Sequence, residues 1–320
     1  MALAETPQKP ITQRGDKVFS GLSLGAGLLI VLILAGVAIF LTVEAIPGIT
    51  ASPEEAPNLD GGSFLHYVWP LVYGTLFAAI IALVIATPLA IGVALFISHY
   101  APRRVAQAVG YLIDLLAAVP SVVYGLWGIA YLAGKLSPVY KWLSDHLGWI
   151  PFFKVDPAGG DFALSSTGRT ILTAGIVLAI MVLPIITAIC REVFLQTPRL
   201  HQEAALALGA TKWEMIRMTV FPYGRSGIIG AVMLGLGRAL GETMAVAMVL
   251  SASGVISIKL LSSTNPSTIP ANIALGFKEP VGNNINVLIA SGLILFIITF
   301  LVNFAARAIV NRRKEFSGAN

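Results

Sequence analysis

Charge is scarce in this 320-residue sequence: Asp, Glu, Lys and Arg together make up 12% of it, about half the share found in ordinary soluble domains. That scarcity, with 56% hydrophobic residues and a mean hydropathy of +0.83, excludes a soluble two-domain reading by length alone. Cysteine is nearly absent. The lone Cys190 excludes an intramolecular disulfide and lacks the companions of a cysteine metal site. His66, His99, His146 and His201 are scattered and form no H-E-x-x-H or similar metal spacing. None of the nine lysines sits in a G-x-x-x-x-G-K-[ST] loop, so the usual backbone cradle for nucleotide phosphates is missing and any ATP must be bound by another chain. Gly235 to Gly241 has glycines in number, but with the wrong final spacing for a dinucleotide loop and no preceding strand. No low-complexity tract interrupts the sequence, and no soluble domain is expected at either end.

What is present is a series of uncharged runs, each close to the roughly 20 apolar residues that cross a bilayer as helix. Residues 18–43 form the first and are too long for a signal-peptide core, so they are expected to be retained. Further spans are expected at 67–98, 105–134, 170–190, 226–250 and 287–306. The expectation is an all-α integral membrane protein with six transmembrane helices. Pro88, Pro120 and Pro184 fall inside three of them, where each removes a backbone donor and can bend the helix.

Six crossings put both termini on one side. Lys and Arg number 14 on the side of the termini and 6 on the other, which places the termini in the cytoplasm because positive charge collects there. The dispersal of these charges among loops gives no nucleic-acid patch. Loop 44–66 has Glu44, Glu54, Glu55 and Asp60 but neither Lys nor Arg, as expected of an outward-facing connection. The turn from Asp156 to Asp161 is likewise read as a solvated connection. The expected organisation is a cytoplasmic tail at 1–17, the first helix at 18–43, an extracytoplasmic loop at 44–66, a transmembrane domain at 67–310 and a second cytoplasmic tail at 311–320.

Two features carry chemistry. Arg238 and Glu242 lie inside an apolar run, where insertion of a charge costs roughly 2.5–3.5 kcal/mol, so neither is expected to face lipid. Thirteen residues separate Arg238 from Arg225, a helical distance of roughly 20 Å that reaches the bilayer middle. Their i,i+4 spacing predicts one shared face and a direct pair. The planar fork of arginine suits an oxyanion, and the neighbouring carboxylate would restrain its affinity and permit release. An Arg–Glu latch that only joins helices is the competing reading. Asp114, roughly 15 Å into the third span, is read as a polar interhelical contact or a vestibule residue. Around the charges, Gly227, Ala231, Gly235 and Ala239 recur every four residues, a small strip that lets helices approach closely and predicts a central fifth helix.

The second feature is a loop with helix signals. Thr197-Pro198 is expected to start a short helix with Leu200, Ala204 and Leu208 along one face, ended by Gly209. Thr211-Lys212-Trp213-Glu214 then has the capping-box pattern of a second helix start. Such an elbow reads as a docking surface or as a membrane-surface helix.

At the elbow, Glu203-Ala204-Ala205, Gly209 and Pro222 stand at the spacing of the cytoplasmic signature of bacterial ATP-binding-cassette importer permeases. Thr219 and Phe221 replace its usual Ile and Leu, two mild departures. A longer likeness covers most of 68–310. Leu115 to Gly125, Gly235 to Val246 (GLGRALGETMAV) and Thr268 to Ala274 resemble the C-type permeases of phosphate-specific transport (Pst) systems. Met244-Ala245 after Glu242-Thr243 separates it from A-type permeases, which read Ala-Pro there, and Asp114 stands where the family often has Glu.

The resemblance implies the type I importer permease fold, with residues 199–214 as coupling helices inserted into a separate ATPase. It implies a non-catalytic subunit of an ATP-driven phosphate importer in the bacterial inner membrane. Its expected partners are an A-type permease, two ATPase subunits carrying ATP and Mg, an extracytoplasmic phosphate-binding protein, inorganic phosphate and the bilayer, with no cofactor on this chain. Arg238, Glu242 and Asp114 are the implied pathway residues; Glu203, Ala204, Ala205 and Gly209 are the coupling residues. A permease for sulfate or molybdate, a passive channel, and a membrane-embedded enzyme using the three buried charges remain the alternatives. A protonated phosphate can donate to Glu242 and sulfate cannot.

Overall fold

The computed structural model describes residues 14–59, 62–157, 160–277 and 282–314; Asp60 and the terminal tails beyond these bounds lie outside it. Among the described residues the protein is helical, with only isolated β-bridges in its loops. In chain order the helices are α1 (Arg14–Thr50), α2 (Phe64–Leu95), α3 (Arg103–Ala117), α4 (Ser121–Trp127), α5 (Ala133–Leu147), α6 (Ile171–Leu195), α7 (Arg199–Ala207), α8 (Lys212–Met215), α9 (Phe221–Leu240), α10 (Met244–Val249), α11 (Ile269–Gly276) and α12 (Asn284–Lys314). Five-residue π-turns continue α2 to Tyr100, join α4 to α5, and join α8 to α9.

Four helices are long and apolar enough to span a membrane, and a bent pair brings the number to five among the described residues. Two of the six expected spans are not single continuous helices. Residues 105–134 do not form one helix: Arg103–Ala117 and Ser121–Leu147 meet at 92°. Pro120 supplies no N–H and holds Val119 out of the helical region, while Ala118 and Val119 donate back to Leu115 and Leu116 in a tight turn. Pro88 and Pro184 lie within continuous helices. Residues 226–250 form α9 and α10, interrupted at 241–243. The loop expected at 44–66 is also shorter, because α1 runs on through Pro47 to Thr50, and α12 extends past the expected end of its span to Lys314.

A seam of small residues runs through the core. Ala78, Ala82, Ala86, Ala90 and Ala94 of α2 are all buried at four-residue spacing and face α6, where Gly175 receives the side chain of Ile81. On its other side α6 meets α9. A Cβ on Gly235 would lie 2.7 Å from Ile186, and Gly227 sits against Val193. Ala231 and Ala239 are buried between them, so the small strip expected on the fifth span is a helix-packing face.

Opposite the elbow, the loops knit into a cap. Asn265, wholly buried, accepts from the Ile171 N–H at 2.9 Å and reaches four carbonyls, those of Arg169, Ser251, Ser262 and Ser263. Lys259 pairs with Asp156 at 2.7 Å, so the turn at Asp156 is tied down rather than merely solvated. The Lys259 ammonium, above all by its hydrogen bond, holds the Asp156 carboxyl below the usual carboxylate range.

Candidate functional site: two broken helices and an exposed elbow

The two helix breaks meet. Gly125 of α4 lies against the backbone of Ala245 in α10, its Cβ position 2.9 Å from the Ala245 Cα, and Gly128 faces Val249 in the same way. Residues 118–120 and 241–243 are thereby brought to a common level. Two of the three stretches that carry the sequence resemblance, 115–125 and 235–246, meet here. Backbone that leaves the helical ladder at membrane depth is tolerated where it is buried in protein or lines a water-filled cavity.

Gly241 ends α9, with its N–H on the Gly237 carbonyl at 3.3 Å. Glu242 is only 8% exposed, and its Oε1 accepts the N–H of Ala245 at 3.1 Å, closing the first turn of α10. The Thr243 hydroxyl donates to the Gly241 carbonyl at 3.2 Å. Arg238 lies on the last turn of α9 and makes no ion pair with Glu242 among the described residues. The expected i,i+4 pair is thus absent, because the helix that would align the two side chains stops between them. The half-buried guanidinium lines a cavity of about 760 Å³ between α6, α9 and α12, with Ile185, Ser226, Met233 and Asn303 on its walls and Arg307 at its far end. Tyr124 donates to the Leu116 carbonyl at 2.9 Å across the Pro120 break. Asp114 is not part of this group. It stands exposed on α3, next to the buried Ile113, with no hydrogen bond or ion pair to Arg238 or Glu242.

α10 is held at its other end by Arg169. Nη2 donates to the carbonyls of Met248 at 3.2 Å and Leu250 at 3.3 Å, and Nε to that of Val249 at 3.5 Å. A cation on the last carbonyls of a helix satisfies its unpaired acceptors and its dipole. A carboxylate at one end and a guanidinium at the other fix the short helix.

The elbow is built as its sequence predicts, with one shift. Gly209 has φ +86°, and the Ala210 N–H bonds the Ala205 carbonyl while the Gly209 N–H bonds that of Leu206, at 3.2 and 3.0 Å. This is the Schellman end of α7, which needs a residue free to turn left-handed. Thr211 and Glu214 form the full capping box of α8. The Thr211 N–H and then its hydroxyl, both on Glu214 Oε2 at 2.8 Å, hold the Glu214 carboxyl below its usual range. The start of α7 differs: the helix begins at Arg199 with Pro198 in the capping position, and Thr197 makes no cap. Leu200, Ala204 and Leu208 are all exposed, Leu208 at 90%. Glu203 is exposed beside them, and Ala204, Ala205 and Gly209 line an open hollow of about 550 Å³ with Glu214 and Met218. The elbow rests on the end of α2, where Lys212 lies 4.7 Å over the Tyr100 ring and Gln202 bonds His99.

Residues 86–315 match the binding-protein-dependent transport system inner membrane component family. The chain belongs to this family. It is similar along nearly its whole length to phosphate transport permeases: 47% identical over 317 residues to "Phosphate transport system permease protein PstC 2" of Mycobacterium tuberculosis, covering 96% of this chain and 95% of the relative. To the PstC protein of Mesorhizobium japonicum it is 39% identical over 316 residues, covering 95% and 92%. Among solved structures, a bacterial ABC transporter involved in the import of the acidic polysaccharide alginate has a chain that aligns with a TM-score of 0.55 at 16% identity, covering 93% of this chain and 96% of that one. That likeness is one of fold. The permease is thus a multi-pass membrane protein with an ABC importer permease fold.

Sequence reasoning did not single out Arg169, Tyr124 or Asn265 as parts of this permease's site. Arg169 and Asn265 act on carbonyls far away in the chain or in irregular loops, where no periodicity marks the partner. Tyr124 lies within the 115–125 stretch, and its bond to Leu116 depends on the Pro120 break.

Proposed function

We propose that this permease is a membrane-spanning subunit of an ATP-driven phosphate importer, with the region of the two broken helices as part of its translocation pathway. The observation that carries the coupling is the elbow: an apolar face with Leu208 at 90% exposure, followed by a helix that continues from Lys212 through a π-turn to Arg238. The substrate class rests on the relatives, which carry the name of phosphate transport permeases.

Both termini and the elbow face the cytoplasm, in keeping with the 14 to 6 distribution of Lys and Arg. ATP and Mg are bound by two separate ATPase subunits, into which residues 199–214 insert through Glu203, Ala204, Ala205 and Gly209. A second, A-type permease completes the pathway, and an extracytoplasmic binding protein delivers phosphate. The chain itself performs no catalysis.

Arg238 supplies the fixed positive charge that draws an oxyanion to the breaks. Glu242 limits that attraction and accepts a hydrogen bond that protonated phosphate can donate. The ATPase biases the conformation only through contacts that differ between the two states of the elbow. On this reading Asp114, exposed on α3, is a vestibule residue away from the breaks.

The test is ATP-dependent uptake of labelled phosphate into vesicles reconstituted with this chain, the partner permease, the ATPase and the binding protein, with sulfate and molybdate as competitors. Uptake that needs this chain and resists both competitors is expected. Competition by sulfate or molybdate would keep the importer and replace its substrate; flux without ATP would remove the importer mechanism.

A further inference from the structure

α1 and α12 pack antiparallel, tightly at one end. There Gly48 sits on the backbone of Asn286 and Val287, Ala45 is buried, and Asn286 donates to the carbonyl and the carboxylate of Glu44 at 2.9 and 3.2 Å. Toward the other end lies an apolar surface that the two helices share. Between them opens a trough of about 890 Å³, walled by Val31 and Leu34 of α1 and Phe296 and Phe300 of α12, with Asn303 and Arg307 at its end.

None of the most apolar stretch of α1 is buried within the chain, so this trough opens to the side. From Phe296 to Arg307 is eleven residues along α12, about 16 Å, close to one leaflet of a hydrocarbon core roughly 30 Å thick. The walls are apolar along the leaflet, and the first fixed charge appears where the lipid headgroups begin. Arg312, Arg313 and Lys314 follow Arg307 in the sequence, and basic pockets between helices at the membrane surface are where anionic headgroups bind.

We infer that the trough between α1 and α12 is a binding site for an anionic phospholipid, with one acyl chain along Val31, Leu34, Phe296 and Phe300 and the headgroup phosphate on Arg307 and Asn303. The lipid is a structural part of the wall: the side chain of Arg307 also reaches the cavity that Arg238 lines, so a headgroup there sets the charge at that cavity's mouth. The site depends only on α1 and α12 lying in a bilayer and not on the transported ion.

The test uses phosphatidylglycerol and phosphatidylcholine bearing the same diazirine-labelled acyl chain, each added to vesicles containing the assembled transporter, with labelled peptides read by mass spectrometry. Peptides holding Val31 and Phe300 are expected to take phosphatidylglycerol over phosphatidylcholine by about fivefold, the ratio equivalent to roughly 1 kcal/mol for a basic side chain at a charged surface. Arg307→Gln should abolish that preference and retain labelling by both lipids. Ala35→Phe, which fills the trough from the exposed face of α1, should lower labelling by both. Equal labelling of the wild type by the two lipids would make this ordinary boundary lipid and overturn the inference. Absence of labelling, with cross-links instead to the partner permease, would overturn it equally. Phosphate uptake that fails with intact lipid preference would count against the proposed function alone.

Discussion

The guanidinium of Arg169 grips the main chain at Met248 and Leu250 from 3.2 and 3.3 Å, and so fixes the far end of the short helix whose near end is closed by Glu242. Replacing Arg169 by Ala leaves three carbonyls to find other partners and should cost about 2 kcal/mol of thermal stability in detergent. Arg169→Lys keeps the charge but loses the fork, and should fall between the two. Equal melting of all three proteins would show that the clamp contributes nothing.

Glu242 and Arg238 are separable by substitution. Glu242→Gln keeps the acceptor for the Ala245 N–H, so the protein should fold, while discrimination between phosphate and sulfate should weaken in competition uptake assays. Arg238→Gln should lower phosphate uptake by on the order of tenfold or more through loss of a charge-assisted contact, with assembly on the ATPase retained. Unchanged selectivity in the first variant would remove Glu242 from recognition.

Gly235 sets the distance between α9 and α6. A Cβ there would stand 2.7 Å from Ile186, so Gly235→Val must push the two helices apart, at about 1–3 kcal/mol. Reduced yield of assembled transporter on size-exclusion chromatography is expected. Gly237→Ala is the control, since its position has open space around it.

The Asp156–Lys259 pair predicts a component of acid sensitivity in the cap opposite the elbow. The Asp156 carboxyl is held below its ordinary range by Lys259, so its contribution is complete above the unfolded value of about 3.9 and is lost as pH falls through the lower folded one. Melting temperatures of the wild type should therefore decline below about pH 4. Asp156→Asn should lack that component of the decline. The effect should be small, because both partners remain partly exposed.

How much of this was legible beforehand depends on the range of each interaction. The Gly227 to Ala239 strip and the Thr211–Glu214 box are local patterns, and the structure contains both as packing face and cap. The breaks are another matter. Pro88, Pro120 and Pro184 have equal standing in the sequence, yet only at Pro120 does the chain turn aside. There, residues 121–128 gain a packing partner in α10 that straight continuation would deny them. The i,i+4 reading of Arg238 and Glu242 failed for a similar reason, since it presumed a helix that Gly241 ends. Arg169 finds its carbonyls 79 to 81 residues away, a separation at which no spacing rule operates.

The long helical run from Lys212 to Leu240 interlocks with α6 through Gly227 and Gly235, and the elbow is the tip where these two arms join. A displacement of the tip is therefore carried as a tilt of the whole hairpin, with no joint along α9 to absorb it. The joint comes at 241–243. Arg238 belongs to the arm, whereas Glu242 belongs to the part that Arg169 anchors to the cap opposite the elbow. A pivot at the break would fall between these two residues, and the gap between them is the length that such a tilt would change.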